Sequence, residues 1–174
     1  MIIGSSEIFE FRGVEFDTNT LTAKMHYACG DHSFCEKVSF SIEDPKNLKT
    51  EELQNALKLM HLIAGISYYK AFAREVKKFE IGYEISSDIA EFLNHLYEEG
   101  LGEFYYMNKL PPTLRSRFTG NGTKPIQASS ISVSGFAVGL GGGKDSLVAV
   151  SLLQELGETV QTFGVNAGWL LSSQ

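Results

Sequence analysis

The sequence predicts a chain of two parts that differ in fold class. Residues 1–128 are expected to form an α+β region, an antiparallel β-meander with two helices, and residues 129–174 the βαβ start of a parallel α/β domain. Three observations predict this division: an early stretch in which apolar residues alternate with period two, a middle stretch with helical periodicity, and a glycine-rich turn between an apolar run and a helix near the end.

Composition limits the class of protein. The 174 residues are 43% hydrophobic and 21% charged, which is typical of a chain that buries a core. The net charge of −6 argues against nucleic acid as the main partner. The first ten residues lack the features of a signal peptide, and no apolar run reaches the roughly 20 residues of a membrane span. With only two cysteines, the chain is predicted to be a soluble cytoplasmic protein without a disulfide scaffold.

Residues 7–42 are predicted to form a three-stranded antiparallel meander. Odd positions from Leu21 to Tyr27 are apolar and even positions polar, and Gly30-Asp31 suits a two-residue turn. This turn fixes a register in which Tyr27 lies opposite Phe34. The apolar parity of the first strand switches at Gly13, which predicts a bulge or bend. The same register pairs two further apolar positions on each strand, Ala23 with Val38 and Leu21 with Phe40.

Four residues of this hairpin have the side chains of a zinc site. His26, Cys29, His32 and Cys35 are spaced by three. The register places His26 and Cys35 on the polar face, and Cys29 and His32 on the apolar one. We therefore interpret them as two solvated histidines and two reduced thiols.

A buried helix is predicted over residues 50–73. Thr50 can cap it, and the pattern that follows is apolar almost all round. Gly65 is unfavourable inside a helix, so it predicts a kink or a close packing contact. A histidine such as His61 is more often a core residue than a catalytic one.

A second helix is predicted over residues 87–99, with a capping box from Asp88 to Glu91 and a stop at Gly100. Its apolar stripe is expected to consist of Ile89, Phe92, Leu93 and Leu96.

The long segment Leu110–Ser130, rich in proline and glycine, is the predicted boundary between the two parts. It contains Arg115 and Arg117, which are either solvated charges or contacts to phosphate.

The run Gly141-Gly142-Gly143-Lys144-Asp145-Ser146 predicts a phosphate-binding loop between a strand and a helix. The dinucleotide pattern fails because its last glycine falls on Lys144. The Walker pattern fails because Asp145 stands where a hydroxyl belongs. The ATP-pyrophosphatase pattern S-G-G-x-D-S fits at every position except its first serine, which Gly141 replaces. Backbone N–H groups and Ser146 could hold pyrophosphate, and Asp145 could contribute to a Mg²⁺ site. A plain glycine-rich turn without nucleotide is the alternative.

Three stretches in order carry a resemblance to a known family. They are His61–Lys70 (HLIAGISYYK), Glu99–Asn108 (EGLGEFYYMN) and Gly141–Ser146 (GGGKDS). Together with the meander, they resemble the N-terminal portion of the ATP-dependent epimerases that act on UDP-N-acetylmuramoyl-L-alanyl-L-glutamate in bacterial cell-wall synthesis. The resemblance implies that the second part begins a nucleotide domain of the adenine nucleotide alpha hydrolase-like type.

The resemblance also implies a chemistry. ATP would activate the terminal L-glutamate carboxylate as an acyl adenylate, which makes the α-proton more acidic, and reprotonation on the other face would give D-glutamate. The loop glycines, Lys144 and Ser146 would bind ATP, and Asp145 would face Mg²⁺. The proton-transfer candidates, chosen by chemistry alone, are His61, Tyr69, Lys70 and Glu103.

The loop opens only about 30 residues before Gln174, whereas a doubly wound nucleotide domain needs well over 100. The chain is therefore expected to hold an incomplete nucleotide domain and to be inactive alone. The expected partner is a small-molecule substrate, a UDP-muramoyl dipeptide, with neither nucleic acid nor membrane. Oligomeric state does not follow from the sequence. Two alternatives stay open: an ATP pyrophosphatase that adenylates a different acceptor, and a nucleotide-binding fragment without catalysis.

Overall fold

The computed structural model describes residues 7–41, 50–112, 115–122 and 134–165. Contacts divide the chain into two units, Met1–Ala128 and Ser129–Gln174. None of the helices in the described ranges is long and apolar enough to cross a membrane.

The first unit is built on a four-stranded sheet. Its strands are β1 (Ile8–Asp17), β2 (Thr22–Cys29), β3 (His32–Ser39) and β4 (Lys78–Ile81). Their order across the sheet is β3-β2-β1-β4, with the first three strands antiparallel and β4 parallel to β1.

The predicted meander and its register are confirmed. Tyr27 lies opposite Phe34 and Ala23 opposite Val38. The pairing of β1 with β2 shifts between Phe11 and Gly13, so the predicted bulge is confirmed as well. The odd positions of β2 are buried and form the core face of the sheet.

The register also separates the four zinc-type residues in the predicted way. His26 pairs with Cys35, and Cys29 pairs with His32. Cys29 is buried in the core, whereas Cys35 is exposed. In the described ranges, no three histidine, cysteine, aspartate or glutamate side chains group into a metal site.

Helix α1 (Thr50–Ala64) begins at the predicted residue but ends just before Gly65. A short helix, α2 (Ile66–Tyr69), follows instead of an unbroken helix to residue 73. The reason is close packing. A Cβ atom on Gly65 would lie 3.0 Å from Cε1 of Tyr27 and closer still to Cε1 of Phe11.

Two tyrosine hydroxyls stabilise this break. The last carbonyls of an α-helix lack intrahelical donors. The Tyr27 hydroxyl donates to the His61 carbonyl (2.9 Å), and the Tyr97 hydroxyl donates to the Leu62 carbonyl (2.7 Å). The His61 carbonyl also accepts the Gly65 N–H at 3.1 Å, so the Tyr27 hydroxyl is its second donor. Both tyrosines are buried, so these bonds are made within the core.

Helix α3 (Ser87–Gly100) is followed at once by α4 (Gly102–Met107). Two details of the prediction for α3 are wrong. Its N-cap is Ser86, whose hydroxyl accepts from the Ile89 N–H at 3.3 Å, and not Asp88. Its buried residues are Ala90, Leu93 and Tyr97. Of the predicted stripe, Leu93 is fully buried and Ile89 packs against the core, whereas Phe92 is 48% exposed.

The core of the first unit is aromatic. Phe11 is fully buried, and its ring lies 5.2–5.9 Å from those of Phe9, Tyr27, His61, Phe79 and Phe118. Edge-to-face pairs at this spacing stabilise beyond simple burial.

The second unit contains a βαβ arrangement, as predicted. It consists of β5 (Phe136–Gly139), α5 (Lys144–Glu155) and β6 (Val160–Phe163), and the two strands pair in parallel. Large apolar side chains on these elements stay exposed, such as Leu147 and Leu152.

Candidate functional site

The glycine loop joins the carboxyl end of β5 to the start of α5, where parallel α/β units bind their ligands. Gly142 has a φ of +81°, a conformation that favours glycine. Gly143 is extended at the N-cap and gives no side-chain cap, so the first N–H groups of α5 lack an intrahelical acceptor. A Cβ on Gly141 or Gly143 would meet nothing within 4 Å, so a ligand can approach the backbone.

The polar side chains of the loop lie in the first turn of α5. Lys144 and Asp145 are exposed. The Ser146 hydroxyl donates to the Gly143 carbonyl at 2.9 Å, which holds the turn in shape. The six predicted residues therefore form one continuous surface with backbone donors and charges of both signs, an arrangement that suits an anionic group bound with a cation.

These residues fit a magnesium nucleotide. Mg²⁺ usually binds one or two carboxylates together with substrate phosphates and water. No group of three potential metal-binding side chains occurs in the described ranges, so the loop offers the single carboxylate of Asp145. Asp145 would hold the ion together with phosphate oxygens, and the ion would offset the charge of those phosphates.

His61 lies in the core, not in a cleft. It is fully buried, its Nε2 donates to the His26 carbonyl (3.0 Å), and its Nδ1 lies 2.9 Å from the Tyr83 hydroxyl. That hydroxyl is also 3.0 Å from the Lys58 carbonyl, so two acceptors share its one proton. Burial lowers the pKa of His61 from 6.5 to about 4, although its hydrogen bond to His26 opposes the shift. This environment favours a structural role.

The pKa of His61 predicts a pH-dependent stability. Because the folded pKa lies below the ordinary value, the stabilisation is complete above pH 6.5 and is lost as pH falls through about 4. The expected loss is up to about 3 kcal/mol, measured by urea unfolding at several pH values. The His61→Gln variant keeps a donor but does not titrate, so its stability should change less over this window. Equal slopes for both proteins would contradict the assignment.

Tyr69 is also buried. Its ring packs against those of Phe9, Phe79 and Tyr97. Its hydroxyl is buried and has no hydrogen-bond partner among the described residues. The Tyr69 side chain contributes to the raised pKa of Tyr105. The larger cause of that rise is burial of Tyr105.

Lys70 and Glu103 are the two exposed proton-transfer candidates. Lys70 is the C-cap of α2, and Glu103 lies in the first turn of α4. In the described structure, none of the four candidates contacts another through a hydrogen bond, ion pair or ring contact. The loop residues therefore lie together at the start of α5, whereas the structure does not bring the proton-transfer candidates together.

Comparison with known protein families identifies one family model that matches nearly the whole chain. The family model of the MurL N-terminal domain matches residues 3–173. The chain belongs to this family. The match covers all three stretches that carry the resemblance, including the glycine loop.

Three curated proteins similar to this chain share a name. A protein of Salinispora tropica is 30% identical over 169 residues, 92% of this chain and 36% of its own length. One of Micromonospora sp. is 29% identical over 168 residues, 92% of this chain and 37% of its length. One of Xanthomonas oryzae pv. oryzae is 37% identical over 115 residues, 64% of this chain and 25% of its length. Each is named UDP-N-acetyl-alpha-D-muramoyl-L-alanyl-L-glutamate epimerase.

The chain thus spans little more than a third of the length of the first two relatives. No solved structure matches it significantly.

Proposed function

We propose that the chain is the N-terminal part of an ATP- and Mg²⁺-dependent epimerase of peptidoglycan precursor synthesis. The enzyme would convert the terminal L-glutamate of UDP-N-acetylmuramoyl-L-alanyl-L-glutamate to D-glutamate. The observation that carries the proposal is the similarity, over most of the chain, to relatives that bear this epimerase name.

The geometry of the glycine loop supports a role in activating the substrate carboxylate. A carboxylate stabilises its charge by delocalisation, which makes the adjacent α-proton hard to remove. Its conversion to an acyl adenylate, with release of pyrophosphate, removes that charge. In this scheme the open N–H groups at the start of α5 and Ser146 would hold the pyrophosphate part of ATP. Asp145 would bind Mg²⁺, and Lys144 would lie beside the phosphates.

Epimerisation also needs proton-transfer groups near both faces of the α-carbon. Lys70 and Glu103 are exposed and can reach a substrate without rearrangement of the core. His61 and Tyr69 are fully buried and would need such a rearrangement. Of the four candidates, we therefore propose Lys70 and Glu103 for substitution first.

A direct assay tests the proposal. The protein, expressed from its complete reading frame, is incubated with ATP, Mg²⁺ and the UDP-muramoyl-L-Ala-L-Glu substrate, and glutamate released by hydrolysis is resolved by chirality. Appearance of D-glutamate together with AMP and pyrophosphate is the expected result. Absence of D-glutamate with protein that is shown to be folded would reject the epimerase proposal. AMP formed only with another acceptor would favour a different ATP pyrophosphatase.

Replacement of Asp145 by alanine is expected to reduce turnover by at least about 100-fold, since a metal-binding carboxylate at the phosphates is lost. The measurement is the initial rate of D-glutamate formation at saturating Mg²⁺. Asp88→Ala is the matched control because Asp88 also lies in the first turn of a helix, in the first unit. Turnover unchanged by Asp145→Ala would count against the loop assignment.

A further inference from the structure

A polar cleft in the first unit lies between α3, α4 and the segment that contains Arg115. It has a volume of about 120 Å³, and Glu98, Tyr105, Arg115 and Arg117 are among its lining residues. This space exceeds the roughly 10–15 Å³ that one water molecule requires, so a small oxyanion can enter it.

The guanidinium of Arg115 is held in a fixed position. Its Cζ lies 4.6 Å from the centre of the Tyr105 ring, and its Nη1 donates to Glu98 Oε1 at 3.1 Å. The side chain is only 26% exposed. A guanidinium stacked on an aromatic ring and fixed at one end loses little entropy when a ligand binds its other edge.

That other edge of Arg115 has no protein partner among the described residues. Its Nε is buried without a hydrogen bond, and Glu98 engages only Nη1. A buried donor left unpaired is costly, and a buried charged donor more so. The Nε edge of a guanidinium presents two parallel N–H groups, a geometry that matches two oxygens of a carboxylate or phosphate.

The charge of the cleft also favours an anion. Arg117 Nη1 lies 3.6 Å from Glu98 Oε2, so two guanidinium groups share a single carboxylate. Two further lining side chains, Asn94 and Ser116, are neutral and already hydrogen-bonded. Asn94 binds the backbone of Phe118 through both amide atoms, and Ser116 donates to the Val76 carbonyl. One positive charge in the cleft is therefore not compensated.

We infer that this cleft is an oxyanion-binding site in which the free edge of Arg115 receives a phosphate or carboxylate group and Arg117 supplies the second positive charge. The inference goes beyond the proposed function and does not rest on it, because it concerns a different unit from the glycine loop and its probes are simple anions.

NMR titration of the 174-residue protein tests the inference. The arginine Nε–H resonances are followed while inorganic phosphate or acetate is added, with chloride at the same ionic strength as the reference. A saturable shift of the Arg115 signal with phosphate assigns a phosphate site, and a tighter response to acetate assigns a carboxylate site. A signal that moves no more with either anion than with chloride would overturn the inference.

Two variants are expected to change anion binding in opposite directions, so a folding defect in one of them cannot account for both results. Arg115→Lys removes the two-pronged edge but keeps the charge, and it should weaken binding about tenfold. Glu98→Gln removes the negative charge of the cleft but keeps an oxygen that can accept from Nη1, and it should strengthen binding about threefold. Arg12→Lys is the matched control, since Arg12 forms an exposed ion pair with Glu10. If Arg115→Lys fails to fold, weaker binding in Glu98→Gln would by itself overturn the inference.

Discussion

Replacement of His61 by alanine is expected to lower the free energy of unfolding of the first unit by about 4 kcal/mol. The imidazole is fully buried between the rings of Phe11 and Tyr27, so its removal leaves a cavity in a core that cannot collapse easily. It also leaves the His26 carbonyl without its donor.

The measurement is urea unfolding at pH 7, where His61 is neutral. His95→Ala is the matched control, because His95 is an exposed histidine on α3 and its loss should change stability by less than about 0.5 kcal/mol. A His61→Ala protein of normal stability would show that the buried hydrogen bonds are not structural. If that stable variant also lost D-glutamate formation, His61 would regain its place among the proton-transfer candidates.

Substitution of Gly65 by alanine is the second large effect, with an expected loss of about 2 kcal/mol. Alanine is the better helix former, yet its Cβ would overlap the Phe11 ring and press on Tyr27. Phe11 cannot move aside, because aromatic rings surround it. The destabilisation from overpacking should therefore be larger than the stabilisation from the higher helix propensity of alanine.

Gly100→Ala provides the matched control for this substitution. Gly100 is also a helical glycine, but a Cβ there would meet nothing within 4 Å. Thermal unfolding should show Gly100→Ala to be neutral or slightly stabilising, by up to about 1 kcal/mol, while Gly65→Ala melts lower. Two variants with equal melting temperatures would contradict the packing explanation for the break after α1.

The predictions confirmed by the structure depend on local rules. A two-residue turn at Gly30-Asp31 leaves one register in which the apolar faces of β2 and β3 coincide, so Tyr27 had to face Phe34. The glycine loop likewise combines strand, turn and helix within a few residues. Gly65 could be singled out because a glycine inside a helix needs a reason, although its partner Phe11 could not be named.

Features that depend on distant partners were missed. β4 has only four residues, and its alternation of charged and apolar side chains is too short to identify a strand. Its pairing with β1 supplies the missing information. The burial of Phe92 was predicted wrongly because α3 turns Leu93 and Tyr97 towards the core. Glu98 and Tyr105 gain meaning only through Arg115, which reaches them from a separate segment.

The parallel pairing of β1 with β4 has a consequence for synthesis on the ribosome. Residues Ile8–Phe11 of β1 pair on one side with β4, which is translated only after β2, β3, α1 and α2. Until then the backbone of β1 presents an open edge that another nascent chain can pair with. Translation of residues 42–81 takes roughly 2–8 s at about 5–20 residues per second, and the risk of aggregation is concentrated in that interval.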